Sequence, residues 1–140
     1  MHVPPLHHLV FVTALAVALG ACASLQPTAC RQGEQALVQD TLYLGTGKPQ
    51  GGVVTPQEWD DFLQGTVTPR FPQGLSVLPA SGQWRGADGA IVRENSYLLQ
   101  LVHPDDEASD QSVGAIAAAY KSRFQQEAVL RARSRACVSF

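Results

Sequence analysis

A chain of 140 residues holds one domain and is too short for two of ordinary size. Ten basic against twelve acidic residues give a formal charge of −2, without the basic surplus of a nucleic-acid binder, so no nucleic-acid partner is expected. An apolar fraction of 45% with no long polar tract excludes a disordered chain, and no fixed-period repeat points to a solenoid or propeller.

The first 30 residues carry no Asp, Glu, Lys or Arg. Leu9 to Gly20, "LVFVTALAVALG", is a 12-residue apolar run. At about 1.5 Å per helical residue it is too short for a hydrocarbon core of roughly 30 Å. Its length suits the apolar region of a signal peptide, although His2, His7 and His8 stand where Lys or Arg is usual. Leu19-Gly20-Ala21-Cys22 then resembles a lipobox: an aliphatic residue, two small ones, and a cysteine whose thiol takes a diacylglyceryl group. The competing reading is a plain signal peptide cut at an A-x-A-like site. The lipobox reading makes residues 1–21 a lipoprotein signal peptide, Cys22 the lipidated residue, 22–38 a tether and 39–140 a single domain. It places the protein in a bacterial envelope, held to a membrane by acyl chains. Ala23 rather than Asp after Cys22 favours the outer membrane, facing the periplasm.

Within the domain, Asp40 to Gly47 reads as a short strand ended by glycines. Thr55-Pro56-Gln57-Glu58 combines a cap, a proline preset for the first helical position and a capping-box glutamate. Trp59, Phe62 and Leu63 give that helix one apolar face, and Pro69 limits it. "LSVLPASGQWRG" and "AIVRENSYLLQLVH" flank Ala87-Asp88-Gly89, a hairpin signal. Acidic "PDDEASD" precedes a second helix, in which Val113, Ile116, Ala117, Tyr120 and Phe124 share a face. "AVLRARSRACVSF" is a last extended run. The order strand, helix, strand, strand, helix, strand predicts an α+β, ferredoxin-like βαββαβ fold, with both helices on one face of a four-stranded antiparallel sheet.

That fold leaves one sheet face open. The third strand is apolar on both sides, with Tyr97, Leu99 and Leu101 on one and Leu98 and Val102 on the other, which suggests a cover for the open face. Arg131, Arg133 and Arg135 alternate on the last strand and share a side. On the open face they would be a solvated fringe, part of a homodimer contact, or a seat for an anionic ligand, with Arg70 as a further candidate. Trp84 and Arg85 beside the hairpin tip form either a stacking and bidentate ligand site or a packed structural pair. His103 precedes Pro104-Asp105-Asp106, where a strand-end histidine at a turn outweighs an acid–base or metal role. No Walker loop, G-x-S-x-G, H-E-x-x-H or G-x-G-x-x-G occurs, so no catalytic residue, cofactor or metal is expected. With Cys22 acylated, Cys30 and Cys137 remain as an even pair in an oxidising compartment. The first and last strands of such a fold come close, so a Cys30–Cys137 disulfide is expected. The eight-residue spacing of Cys22 and Cys30 does not fit a zinc site.

The segments "TPRFP-x-GL", "GQWR" and "YK-x-RF-x-QE-x-VL" resemble a family of small bacterial secreted lipoproteins known as domain of unknown function 3574. The resemblance spans Ala29 to Phe140, and the family's cysteines near the domain's two ends match Cys30 and Cys137. It implies an exported domain without an established activity, so it carries no catalytic residue over. The reading is a non-catalytic interaction or assembly domain. The alternative is a small ligand binder or enzyme acting on an anionic molecule at the open face.

Overall fold

The computed structural model describes residues 29–140. The expected signal peptide, the expected Cys22 anchor and the expected tether as far as residue 28 lie outside those residues.

Strand β1 (Gln35–Gly45) opens the domain. Its even positions Val38, Leu42 and Leu44 are buried, as period-two alternation requires of a strand covered on one side. It begins five residues before the expected Asp40. The reason lies in its partner: Gln35 to Val38 pair with Val138 to Arg135, so residues taken for tether are drawn into the ladder. Helix α1 (Pro56–Phe62) starts at a complete capping box. Thr55 Oγ1 accepts from the Glu58 amide at 3.2 Å and Glu58 Oε2 accepts from the Thr55 amide at 2.9 Å. The helix does not stop at Phe62 but passes into a π-helical turn, Leu63–Val67, that ends just before Pro69.

Strands β2 (Ser76–Arg85) and β3 (Ile91–His103) form the expected hairpin. Its turn closes with the Gly86 amide donating to Ala90 O at 2.8 Å, and Gly89 takes φ 83°, an angle costly for other residues. Pro79 lies in β2, which is an edge strand, where a missing ladder donor is tolerated. Helix α2 (Glu107–Phe124) is capped by Asp106, whose Oδ1 accepts from the Ser109 amide at 2.7 Å, and β4 (Leu130–Val138) ends the fold.

The sheet order is β2-β3-β1-β4, antiparallel throughout, which is the split βαβ arrangement anticipated from the element order. The helices cover one face. Between them and the sheet lies an aromatic core in which Trp59 stacks on Tyr97 at 4.3 Å and Phe62 meets Tyr120 edge-on at 5.2 Å. Phe71, from the "TPRFP" turn, is buried beside His103. Cys30 and Cys137 are joined by a disulfide, as expected, with their Cα atoms 5.4 Å apart.

Candidate functional site

Antiparallel partners directly opposite one another project to the same side. Arg131 stands opposite Leu42, Arg133 opposite Asp40 and Arg135 opposite Val38, all three of them buried. The arginine row therefore lies on the helix-covered face, and the placement on the open face is corrected. One residue of alternation decides the matter: the expected register left it undetermined which side of β4 followed the core.

On that side the arginines meet acids. Arg131 grips Asp40 bidentately, Nε to Oδ1 at 2.7 Å and Nη2 to Oδ2 at 2.6 Å, and Nη2 also donates to Asp110 Oδ1 at 2.8 Å. Arg133 joins Asp110 at 2.8 Å to Asp105 at 2.6 Å, and Arg135 stands 3.7 Å from Asp105. His103 is buried, with Nε2 2.8 Å from Asp40 Oδ2 and Nδ1 2.7 Å from Pro104 O, so both ring nitrogens face acceptors. Burial pushes the Asp40 carboxyl up, but the hydrogen bonds from Arg131 and His103 outweigh it and hold the group below the usual carboxylate range. The Arg131 guanidinium is in turn pushed up by Asp40. Among the described residues no buried side-chain nitrogen or oxygen lacks a partner. The network is closed on itself and fastens β1, β3, β4 and the start of α2. His103 is a strand-end histidine at a turn, with Asp40 as a partner the sequence reading missed.

The remaining candidates do not assemble with these. Arg70 Nη1 donates to Thr66 O at 2.6 Å, at the end of the π-helical turn. Trp84 lies opposite Val92 and Arg85 opposite Ile91, so the two neighbours leave β2 on opposite faces and form no joint site. Trp84 is half exposed rather than packed against a helix end. The three potential metal donors Cys30, Glu34 and Cys137 lie within 4.8 Å of one another, but the two sulfurs are bonded together, leaving a cation only the Glu34 carboxylate.

The open face is of another character. Leu78, Trp84, Val92, Val102 and Leu130 are exposed on it, with Tyr43 among them. By alternation, Glu94 is the one charged strand residue on this side. At the hairpin end the face sinks into a cavity of about 1000 Å³. Tyr43 and Leu130 flank it on one side and Trp84 and Val92 on the other, over a floor of Gly45, Gly82 and Ser96. The Glu94 carboxylate lies over Gly45, where a Cβ would displace it. Glu94 Oε1 accepts from the Gly47 amide at 3.2 Å. Loop residue Lys48 lines the rim, but its ammonium is held by both oxygens of Glu58 at 2.8 Å. That bond from Lys48, with those from Thr55, holds the Glu58 carboxyl down at about 2. Below the floor, Tyr120 donates its hydroxyl to Gly45 O at 2.9 Å, and burial, with the Glu94 charge nearby, pushes that phenol up.

The open face thus carries exposed apolar side chains around one recessed carboxylate, on a two-layer α+β domain whose ionic cluster lies on the helix side. Residues 39–140 match the family described as protein of unknown function DUF3574, and the chain belongs to that family. No curated protein matches it. Among solved structures it is similar to a phage SAM lyase in complex with S-methyl-5'-thioadenosine. The two are 16% identical, the match covers 82% of this chain and 96% of that one, and the TM-score is 0.54. It is also similar to CutA from Synechococcus elongatus, 16% identical, covering 74% of this chain and 80% of that one, TM-score 0.50. At such identity these likenesses show the fold alone.

Proposed function

We propose that the protein is an exported bacterial lipoprotein, anchored through Cys22 at the outer membrane and facing the periplasm, whose domain docks rather than catalyses. Its docking surface is the open sheet face and the occupant is a second copy of the chain. The observation that supports this is the face's charge: a single carboxylate among exposed Leu78, Val92, Val102 and Leu130. Depletion of charge marks the centres of protein interfaces. Such a face meets its own copy without repulsion and offers nothing to steer a charged partner. Four strands about 4.8 Å apart and about 30 Å long present roughly 600 Å². That is below the ~800 Å² per partner of stable complexes. The dimer is therefore concentration-dependent.

Sedimentation velocity on the chain from Ala23 onward is expected to show dimer growing with concentration. Val102→Glu, a charge at an exposed position, is expected to keep it monomeric. Wild-type protein that stays monomeric near millimolar concentration overturns the self-docking. For the anchor, cells given labelled palmitate are expected to label the wild type and not Cys22→Ala, which should leave the membrane fraction. Label that persists in the variant overturns the lipid attachment.

A further inference from the structure

The cavity occupies the hairpin end of the open face and shares Val92 and Leu130 with the docking surface. Val102 and Glu94 are eight residues apart on β3, about 26 Å along an extended strand. Its chemistry also differs from the rest of the face. The floor is made of residues without bulk, Gly45, Gly82 and Ser96, and the walls include two aromatic side chains, Tyr43 and Trp84. A Cβ built at Gly82 meets nothing within 4 Å, so the space above it is open. A half-buried carboxylate lies on this floor. Glu94 uses Oε1 for the Gly47 amide, while Oε2 has no donor among the described residues. Among the described residues no ion pair neutralises it: Lys48 is committed to Glu58, and Arg93, which also borders the cavity, makes no ion pair with it and leaves β3 on the opposite face by alternation. Glu127, from the loop before β4, adds a second carboxylate to the lining.

Aromatic walls favour a flat ring and also attract positive charge, while an unpaired recessed carboxylate wants N–H donors. A cavity of this size suits a small molecule. We infer that the trough is a binding site for a small organic cation, a flat ring carrying a primary ammonium or amidinium group, with the ring against the aromatic wall and the N–H groups on Glu94. This goes beyond the docking reading and does not rest on it. It also reverses the charge of the ligand in the alternative reading of the sequence, because the arginines that suggested an anion face the other way.

The chain has two tryptophans, and Trp59 is buried in the core, so the indole N–H resonance of Trp59 is an internal reference for that of Trp84. The purified protein in non-ionic detergent, labelled with ¹⁵N at tryptophan, is titrated with benzylammonium and, separately, with benzoate. Benzylammonium is expected to move the Trp84 resonance saturably and leave Trp59 in place, and benzoate to move neither. Glu94→Gln keeps an acceptor for the Gly47 amide and is expected to weaken benzylammonium by about tenfold. Gly82→Leu, which fills the open floor, is expected to abolish the shift with Glu94 intact. Val102→Glu, at the far end, is expected to bind as the wild type does at concentrations where both are monomeric, so a failure of self-docking is distinguishable from a failure of this site. Equal response to benzoate, or a Glu94→Gln isotherm identical to the wild type, overturns the inference.

Discussion

Asp40→Ala is expected to lower folding stability by about 3 kcal/mol, read from urea denaturation midpoints. Removing one partner of a buried ion pair strands the charge of the other, which costs about 3–5 kcal/mol where both are fully buried. Asp40 is wholly buried, but Arg131 retains 26% exposure and keeps Asp110, which places the loss at the lower end. The same substitution leaves the buried His103 Nε2 without its acceptor. The acid limb of stability offers a second reading of the same group. The Asp40 carboxyl is held below its ordinary value of 3.8 in the fold, so its contribution is fully present above about pH 4 and fades as pH falls through the folded value. Wild type minus Asp40→Asn, followed from pH 6 to 2, is expected to shrink toward the acid end. Glu58 and Asp106 are also held low and titrate in both proteins, so they cancel in that difference. A loss below about 1 kcal/mol for Asp40→Ala would show that the network fastens nothing.

Much of this molecule is legible in one dimension because its local signals agree with one another. The capping box at Thr55, the Asp88-Gly89 turn and the α2 stripe ending in Tyr120 and Phe124 each act over a few residues, and together they fix the order of elements and hence the sheet. What failed to show was relational. Asp40 sits in an apolar alternation, Val38, Leu42 and Leu44 around it, so its burial could have been inferred. Its partners stand 63 and 91 residues away, and pairing them needs the register of two ladders. The same missing register put the arginine row on the wrong face, since a shift of one residue reverses every side chain of a strand. Glu94 escaped notice for a similar reason: its meaning depends on the absence of a side chain at Gly45, on the neighbouring strand and diagonally opposite it in the β1–β3 ladder. The N-terminal boundary failed differently. Gln35 to Val38 have no strong strand signature and become sheet because β4 is there to pair with them.

That pairing is held at its end by the Cys30–Cys137 bond, and opening it is the other change with a large expected effect. The bond closes a sequence separation of 107 residues. In the chain-entropy model a loop of about 100 residues is worth up to ~4.7 kcal/mol. A domain of this size has only about 5–15 kcal/mol in total. Cys30→Ser with Cys137→Ser is therefore expected to cost about 2–5 kcal/mol, measured by thermal and urea denaturation under oxidising conditions. Reductant should bring the wild type to the stability of the double variant and leave that variant unchanged. The location of the damage separates two causes. If the bond acted only by restricting the unfolded chain, hydrogen exchange of every core amide would rise together. The structure predicts in addition a local effect, because Ala36 faces Cys137 at the extreme end of the β1–β4 ladder, beyond the reach of the Asp40 network. Amides of Gln35 to Leu37 and Ala136 to Val138 are expected to exchange fastest in the reduced protein, while those around Leu42 and Arg131 stay with the core. Uniform protection across β4 in the reduced protein would mean that the ion pairs alone hold the strand to its end, and the disulfide would then be a constraint on the unfolded state and nothing more.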